Sequence, residues 1–227
     1  MKGNSDMKEI KACIFDAYGT LFDVNSACRE LSKEVGHNWE SLASLWRLRQ
    51  VEYTWLRNSM NEYIDFWQIT SDALDYAMET LEIENIKLKQ DLLALYLKLE
   101  AYPEVKGLLK KLKQKDFKTG ILSNGSMKML NSAVDNANIR DLLDGILSVE
   151  DCEIYKPSKK VYDLVEKNMK VKKENVMFFS SNAWDMHAAS NYGFNTIWVN
   201  RFNAKLERLP GKPKNIVNSL EKIDQII

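Results

Sequence analysis

The chain has 227 residues, 45% of them apolar and 28% charged, enough for one α/β domain carrying an inserted lobe and too long for a disulfide-stapled miniature. Lysine plus arginine and aspartate plus glutamate both number 32, so no net field points to nucleic acid or an anionic membrane as partner. Cys13, Cys28 and Cys152 stand far apart without CxxC or Cys/His spacing, which argues against a zinc site and fits structural thiols in a reducing cytosol.

The polar lead MKGNSDMKEI runs into an apolar stretch too brief for a signal sequence or a membrane span, so a soluble, cytoplasmic protein is expected. A first strand is predicted at 12–16. Positions 26–100 then hold four helical patterns, near 26–35, 39–58, 64–82 and 88–100, rich in Leu, Trp and Tyr and without proline. Pro103 marks a hinge or helix start where this stretch returns. Beyond it, helices at 104–115, 128–137, 159–169 and 184–192 alternate with strands at 119–123, 145–149, 176–180 and 196–199.

Four of the five strands read as buried on both faces, as in a parallel sheet covered by helices. About a hundred residues separate the first two strands, where a crossover needs only about a dozen or somewhat more. The fold class is therefore α/β, a Rossmann-like parallel sheet core with an inserted helical cap. The core is read as 1–25 and 101–227, and the four-helix cap as 26–100.

Ligands of open parallel sheets bind beyond the carboxyl ends of the strands. The polar residues there are Asp16-Ala17-Tyr18-Gly19-Thr20 after the first strand, Ser123-Asn124-Gly125-Ser126 after the second and Ser180-Ser181-Asn182-Ala183-Trp184-Asp185 after the fourth. Lys156-Pro157 opens the helix between the third and fourth strands. Asp16 alone also reads as a turn or N-cap residue. A lysine, a second carboxylate and hydroxyl and amide groups at the same edge instead suggest a nucleophile with supporting donors.

These four segments resemble the four motifs of the haloacid dehalogenase superfamily, over nearly the whole chain. The cap run from Leu45-Trp46-Arg47 to Arg57 and the phrase Trp198-Val-Asn-Arg201 further resemble the type II L-2-haloacid dehalogenases. The resemblance implies a haloacid-dehalogenase-like core, Asp16 as nucleophile toward C2 of a small 2-haloalkanoate, and an aspartyl ester that water cleaves with inversion at C2. Lys156 would keep Asp16 ionised and aimed, with Thr20 and Ser180 holding its oxygens. Arg47 would take the halide, with Asn124 helping on that side, and Ser123 with the backbone N–H groups from Ala17 onward would anchor the substrate carboxylate. Asp185 is the candidate base, Asn182 positions groups and water, and Tyr162 hydrogen-bonds this network. Tyr18, Phe66 and Trp184 would wall the C2 substituent.

Several of these residues keep a plainer reading. Arg47 also fits a solvated helix charge like Arg49 or Arg57, Tyr162 a half-buried helix tyrosine, and Tyr18, Phe66 and Trp184 core aromatics. His37 and His187 are isolated and read as surface or packing residues. Leu48 stands where close relatives can carry glutamine, and a more apolar entrance favouring longer 2-haloacids is expected from it.

Three functions remain: a halidohydrolase, a small-molecule phosphatase and a non-catalytic binding protein. A phosphatase of this family carries a second aspartate two residues after the nucleophile, as acid for the leaving alcohol; here that position is Tyr18. A tyrosine of pKa near 10 is a poor donor at neutral pH, whereas a halide leaves as an anion. No metal and no cofactor are expected, because Lys156 can replace the cation that phosphoryl transfer needs. Relatives are commonly dimeric, and a homodimer through the aromatic cap helix 39–55 is expected.

Overall fold

Ala12–Phe15 forms β1, four apolar residues buried on both faces, because it lies in the middle of a parallel sheet and has no solvent side. It pairs in parallel with β2 (Lys118–Ser123) on one side and β4 (Val176–Ser180) on the other. β3 (Gly145–Ser148) extends the sheet beyond β2, and β5 (Asn195–Val199) and β6 (Asn215–Val217) extend it beyond β4. The order is β3-β2-β1-β4-β5-β6. This computed structural model describes residues 9–227; residues 1–8, read above as the polar lead and counted with the core, lie outside the described residues.

The strand order reverses at β1, and that reversal opens a crevice at its carboxyl end. Register brings the strand ends level, with Phe15 beside Ile121 and Phe179. Asp16, Ser123 and Ser180 therefore follow at one edge of the sheet. β6 was not anticipated: three residues, two of them exposed, carry no alternation that a sequence pattern could reveal.

The interval between β1 and β2 contains α1 (Ser26–Glu30), α2 (Ser32–Val35), α3 (Trp39–Met60), α4 (Phe66–Thr80) and α5 (Ile86–Tyr96). The helix expected over 26–35 is broken at Leu31, whose ψ of 24° is not helical. Side-chain caps set two starts: Asp65 accepts the Trp67 N–H at 2.8 Å and Asn85 accepts the Leu88 N–H at 3.0 Å. α5 ends at Tyr96 rather than near 100, where the returning chain straightens and pairs with the segment 21–23 that leaves β1. There Phe22 bridges Ala101 in antiparallel fashion, Asp23 donates its N–H to the Glu100 carbonyl at 2.8 Å, and Tyr102 donates to the Leu21 carbonyl at 2.9 Å. Arg29 spans this neck, binding Asp23 at 2.7 Å and Glu100 at 3.1 Å.

Helices α6 (Val105–Gln114), α7 (Met127–Asn136), α8 (Lys159–Met169) and α9 (Ala183–Tyr192) follow in alternation with the strands. Arg201, beyond β5, ties the core to the neck: it donates to the Thr20 carbonyl at 2.8 Å, pairs with Glu104 at 2.8 Å and lies 3.6 Å over the Tyr102 ring. In the inserted lobe, Trp46 of α3 donates its indole N–H to the Thr70 carbonyl of α4 at 2.8 Å and packs on Tyr96 with ring centroids 4.8 Å apart. Tyr96 in turn stacks on Tyr18 of the core at 5.9 Å, so an aromatic column joins lobe to core. Among the described residues, no helix is long and apolar enough to cross a membrane.

Candidate active site

Asp16 is the first residue past β1, its N–H held by the Phe179 carbonyl at 2.9 Å. The loop folds back at Gly19, whose φ of +88° suits glycine, and the N–H groups of Thr20, Leu21 and Phe22 all converge on the Ala17 carbonyl. A Cβ at Gly19 would also stand 3.0 Å from Ser181 Oγ. This turn brings Thr20 Oγ1 to Asp16 Oδ2, to which it donates at 3.0 Å, while accepting the Ser181 N–H at 2.8 Å. Asn182 Nδ2 is the second donor to Asp16 Oδ2, at 2.8 Å.

Lys156 is almost wholly buried and lies between two carboxylates, 3.1 Å from Asp16 Oδ1 and 2.8 Å from Asp185 Oδ2. Tyr162 Oη donates to the other Asp185 oxygen at 2.7 Å. Burial alone would disfavour the Lys156 ammonium, but the two carboxylates outweigh it and hold its pKa above the ordinary lysine value. Burial, and then the charge of Asp16, raise the Asp185 carboxyl above the usual carboxylate range despite Lys156. Burial also pushes the Tyr162 and Tyr18 phenols well above 10, with Asp185 adding to the first. A carboxylate with a raised pKa is the better proton acceptor, and neither phenol can act as an acid at neutral pH.

A small, tight cavity opens beside Asp16, lined also by Tyr18, Arg47, Val51, Phe66, Ser123, Asn124, Asn182 and Trp184. Several open surface grooves are larger, but none of them contains Asp16 or gathers carboxylates around a buried lysine as this edge does. Arg47 reaches the cavity from α3 and donates to the Tyr18 carbonyl and to Asn182 Oδ1, both at 3.3 Å. The Asn182 amide thus links nucleophile and guanidinium, and its orientation follows from its partners. Ser123 Oγ accepts the Gly125 N–H at 3.1 Å, and Asn124 Oδ1 accepts the Lys156 N–H at 3.0 Å, which locks the second-strand turn to the lysine segment.

Most of the expected site residues therefore converge, and three do not stand as expected. Ser180 does not hold Asp16: its hydroxyl accepts the Asn182 N–H at 3.2 Å, so it shapes the turn that presents Asn182, and Asn182 supplies the second donor. Leu48 does not line the cavity and is 51% exposed. One residue after Arg47, it is rotated about 100° around the helix, whereas Val51, one turn on, shares the Arg47 face and takes the place expected of Leu48. Ala17 is buried beneath the loop and is not among the cavity-lining residues. His187, expected on the surface or in packing, is buried with Nδ1 2.9 Å from the Gly211 carbonyl.

Beside Arg47, sequence reasoning missed Gln50 and Tyr96. The i, i+3 spacing of Arg47 and Gln50 was the available signal for the first. No local signal points to Tyr96, which comes from another helix.

A buried aspartate at the switch point, clamped by a lysine shared with a second carboxylate and faced by an arginine from an inserted lobe, defines an α/β hydrolase working through a carboxylate nucleophile. The profile of the haloacid dehalogenase-like hydrolases matches residues 10–193. Over 222 residues, the chain is 43% identical to (S)-2-haloacid dehalogenase 1 of Pseudomonas sp. (strain CBS-3), covering 97% of this chain and 98% of that one. It is also 43% identical to (S)-2-haloacid dehalogenase 4A of Burkholderia cepacia, covering 94% and 93%. Among solved structures, the L-2-haloacid dehalogenase from Xanthobacter autotrophicus with chloropropionic acid covalently bound superposes with a TM-score of 0.89 at 33% identity, covering 96% of this chain and 98% of that one. The chain belongs to the haloacid dehalogenase-like hydrolases and, within them, to the (S)-2-haloacid dehalogenase family.

Proposed function

We propose that this protein hydrolyses L-2-haloalkanoates to D-2-hydroxy acids with release of halide. The observation that carries this reading is the pairing of a clamped Asp16 nucleophile with Tyr18, two residues on, where an alcohol leaving group would require an acid. Buried Tyr18, its phenol pushed well above 10, offers no such proton, and a halide needs none. This disfavours a phosphatase, and the occupied nucleophile, base and anion positions disfavour a mere binding protein.

In this mechanism an oxygen of Asp16 attacks C2 from the side opposite the halogen, forming the ester bond as the carbon–halogen bond breaks. Thr20, Asn182 and Lys156 hold the carboxylate so that little reorganisation precedes attack. Arg47 attracts the halogen as it acquires charge, with Asn124 beside it, and Ser123 with the Tyr18 backbone N–H, which precedes the N–H groups committed within the turn, anchors the substrate carboxylate. Tyr18, Phe66, Val51 and Trp184 wall the C2 substituent. Water then adds to the Asp16 ester carbonyl, giving its proton to Asp185, whose raised pKa suits the task. Collapse expels the product oxygen as it takes the proton back from Asp185, and the Asp16 carboxyl loses its remaining proton to solvent, so the 2-hydroxy acid leaves with a hydroxyl oxygen that comes from Asp16. Lys156 supplies the cation between the two carboxylates, and no step runs through a metal.

One turnover with excess enzyme in heavy-oxygen water tests this: the label is expected in Asp16 and not in the product hydroxyl. Halide release from L-2-chloropropionate, run beside p-nitrophenyl phosphate hydrolysis with and without magnesium, separates the phosphatase reading.

The exposed apolar side chains Leu48, Leu56 and Met60 on α3 further support a homodimer through this helix. Sedimentation of the wild type and a Leu56→Glu variant would test it. The free thiols Cys13, Cys28 and Cys152 support a cytoplasmic location.

A further inference from the structure

Arg47 differs from Arg201, which is partly buried like it. The latter pairs with Glu104 at 2.8 Å, and Arg49, two residues along α3, pairs with Glu52 at 2.6 Å. The three acceptors of Arg47 are all neutral oxygens, and the nearest is Gln50 Oε1 at 2.7 Å. Gln50 is fully buried, and its orientation is determined step by step. Thr70 Oγ1 donates its only proton to the Phe66 carbonyl at 2.7 Å, so toward Gln50 it acts as acceptor, taking the Nε2 hydrogen bond at 2.7 Å. That leaves Oε1 facing Arg47, where it also accepts from Tyr96 Oη at 3.0 Å. Burial raises the Tyr96 pKa, which keeps this phenol a donor.

We propose that Gln50 is the positioning residue that aims the Arg47 guanidinium at the cavity while leaving its positive charge uncompensated for the departing halide. The proposal rests on the halidohydrolase reading. A glutamate would fit the same space and hold Arg47 more firmly, yet its charge would compete with the halide. A methionine would fill the volume and supply no acceptor with which to aim the guanidinium.

The test measures single-turnover ester formation from 2-chloropropionate and 2-bromopropionate, together with chlorine NMR line broadening by the substrate-free protein. Gln50→Glu is expected to slow the chloro acid about 100-fold and the bromo acid about 10-fold, because the poorer leaving group depends more on the cation, and to remove the chloride broadening. Gln50→Met is expected to slow both acids about equally, by about 10-fold, and to keep the broadening, because aim is lost and charge is not. A bromo-to-chloro ratio and a chloride signal unchanged in Gln50→Glu overturn the proposal, as do two variants that shift the ratio equally, the mark of a merely structural residue. Should Gln50→Glu not fold, an unaltered rate in Gln50→Met overturns it alone. A wild type that forms no ester from either acid defeats the halidohydrolase reading instead. The chloride signal then decides the role of Gln50, which is supported if Gln50→Glu removes a wild-type signal and overturned otherwise.

Discussion

Replacing Lys156 with methionine removes the cation between Asp16 and Asp185 while keeping the length of the stem. At an effective dielectric constant near 20, each contact of about 3 Å carries a gross attraction of roughly 5 kcal/mol, largely offset by the desolvation of the three charges. The net loss is set by what remains, two buried carboxylates with no cation between them. Breaking a buried pair in this way costs about 3–5 kcal/mol, a large fraction of the 5–15 kcal/mol of a typical domain. The cost depends on pH, and its sign follows from linkage. Without Lys156, like-charge repulsion and burial raise a carboxyl above its unfolded value, so the folded variant binds more protons than the unfolded chain. The contribution of that carboxyl is then fully present below its unfolded pKa and is lost as pH rises through the raised folded pKa. Urea denaturation of both proteins should show a deficit of about 3–5 kcal/mol at about pH 8 that narrows toward about pH 5. A deficit under about 1 kcal/mol at both values would show that the lysine does not hold the two carboxylates together energetically.

Other outcomes follow from the same contacts. Gly125→Ala places a Cβ 2.6 Å from Tyr18 Cε2, so the cavity wall must shift; a loss of about 1–3 kcal/mol in urea and a raised KM are expected, and unchanged values of both would show that the ring yields freely. Thr20→Val removes a donor to Asp16 and strands the Ser181 N–H, which is expected to cost about 1–3 kcal/mol and to lower kcat for halide release; a fully active, equally stable variant would refute the clamp. In the wild type, the raised Lys156 pKa stabilises the fold at all pH values below the unfolded lysine value of about 10.4, and that contribution is lost as pH rises through the folded value. Urea midpoints followed into the alkaline range should fall there, and Lys156→Met should lack that fall.

The strands were legible because their buried runs stop sharply at polar residues, and those stops carry Asp16, Ser123 and Ser180. The lobe was legible as an interval too long for a crossover, and Arg47 through resemblance of the run around it. Side-chain direction was not legible. Ser180 and Asn182 both belong to the turn after β4, and only the turn geometry decides which faces Asp16. Leu48 and Val51 differ in which side of α3 they occupy, and the weakly amphipathic α3, with both an exposed apolar side and a site-facing side, blurs the distinction. Gln50 was invisible for another reason: its role depends on Thr70 and Tyr96, contributed by two other helices.

The paired crossing at Phe22 and Ala101 has a consequence for how such molecules diversify. The outgoing segment 21–23 and the incoming segment 100–102 run side by side, so the excursion through 26–100 begins and ends at nearly one point. Lengthening or replacing that excursion adds little closure entropy, since the ends are already together. The lobe is thus an exchangeable cassette: grafting a foreign one at this junction would alter which molecules are admitted while the aspartate beneath stays where the sheet puts it.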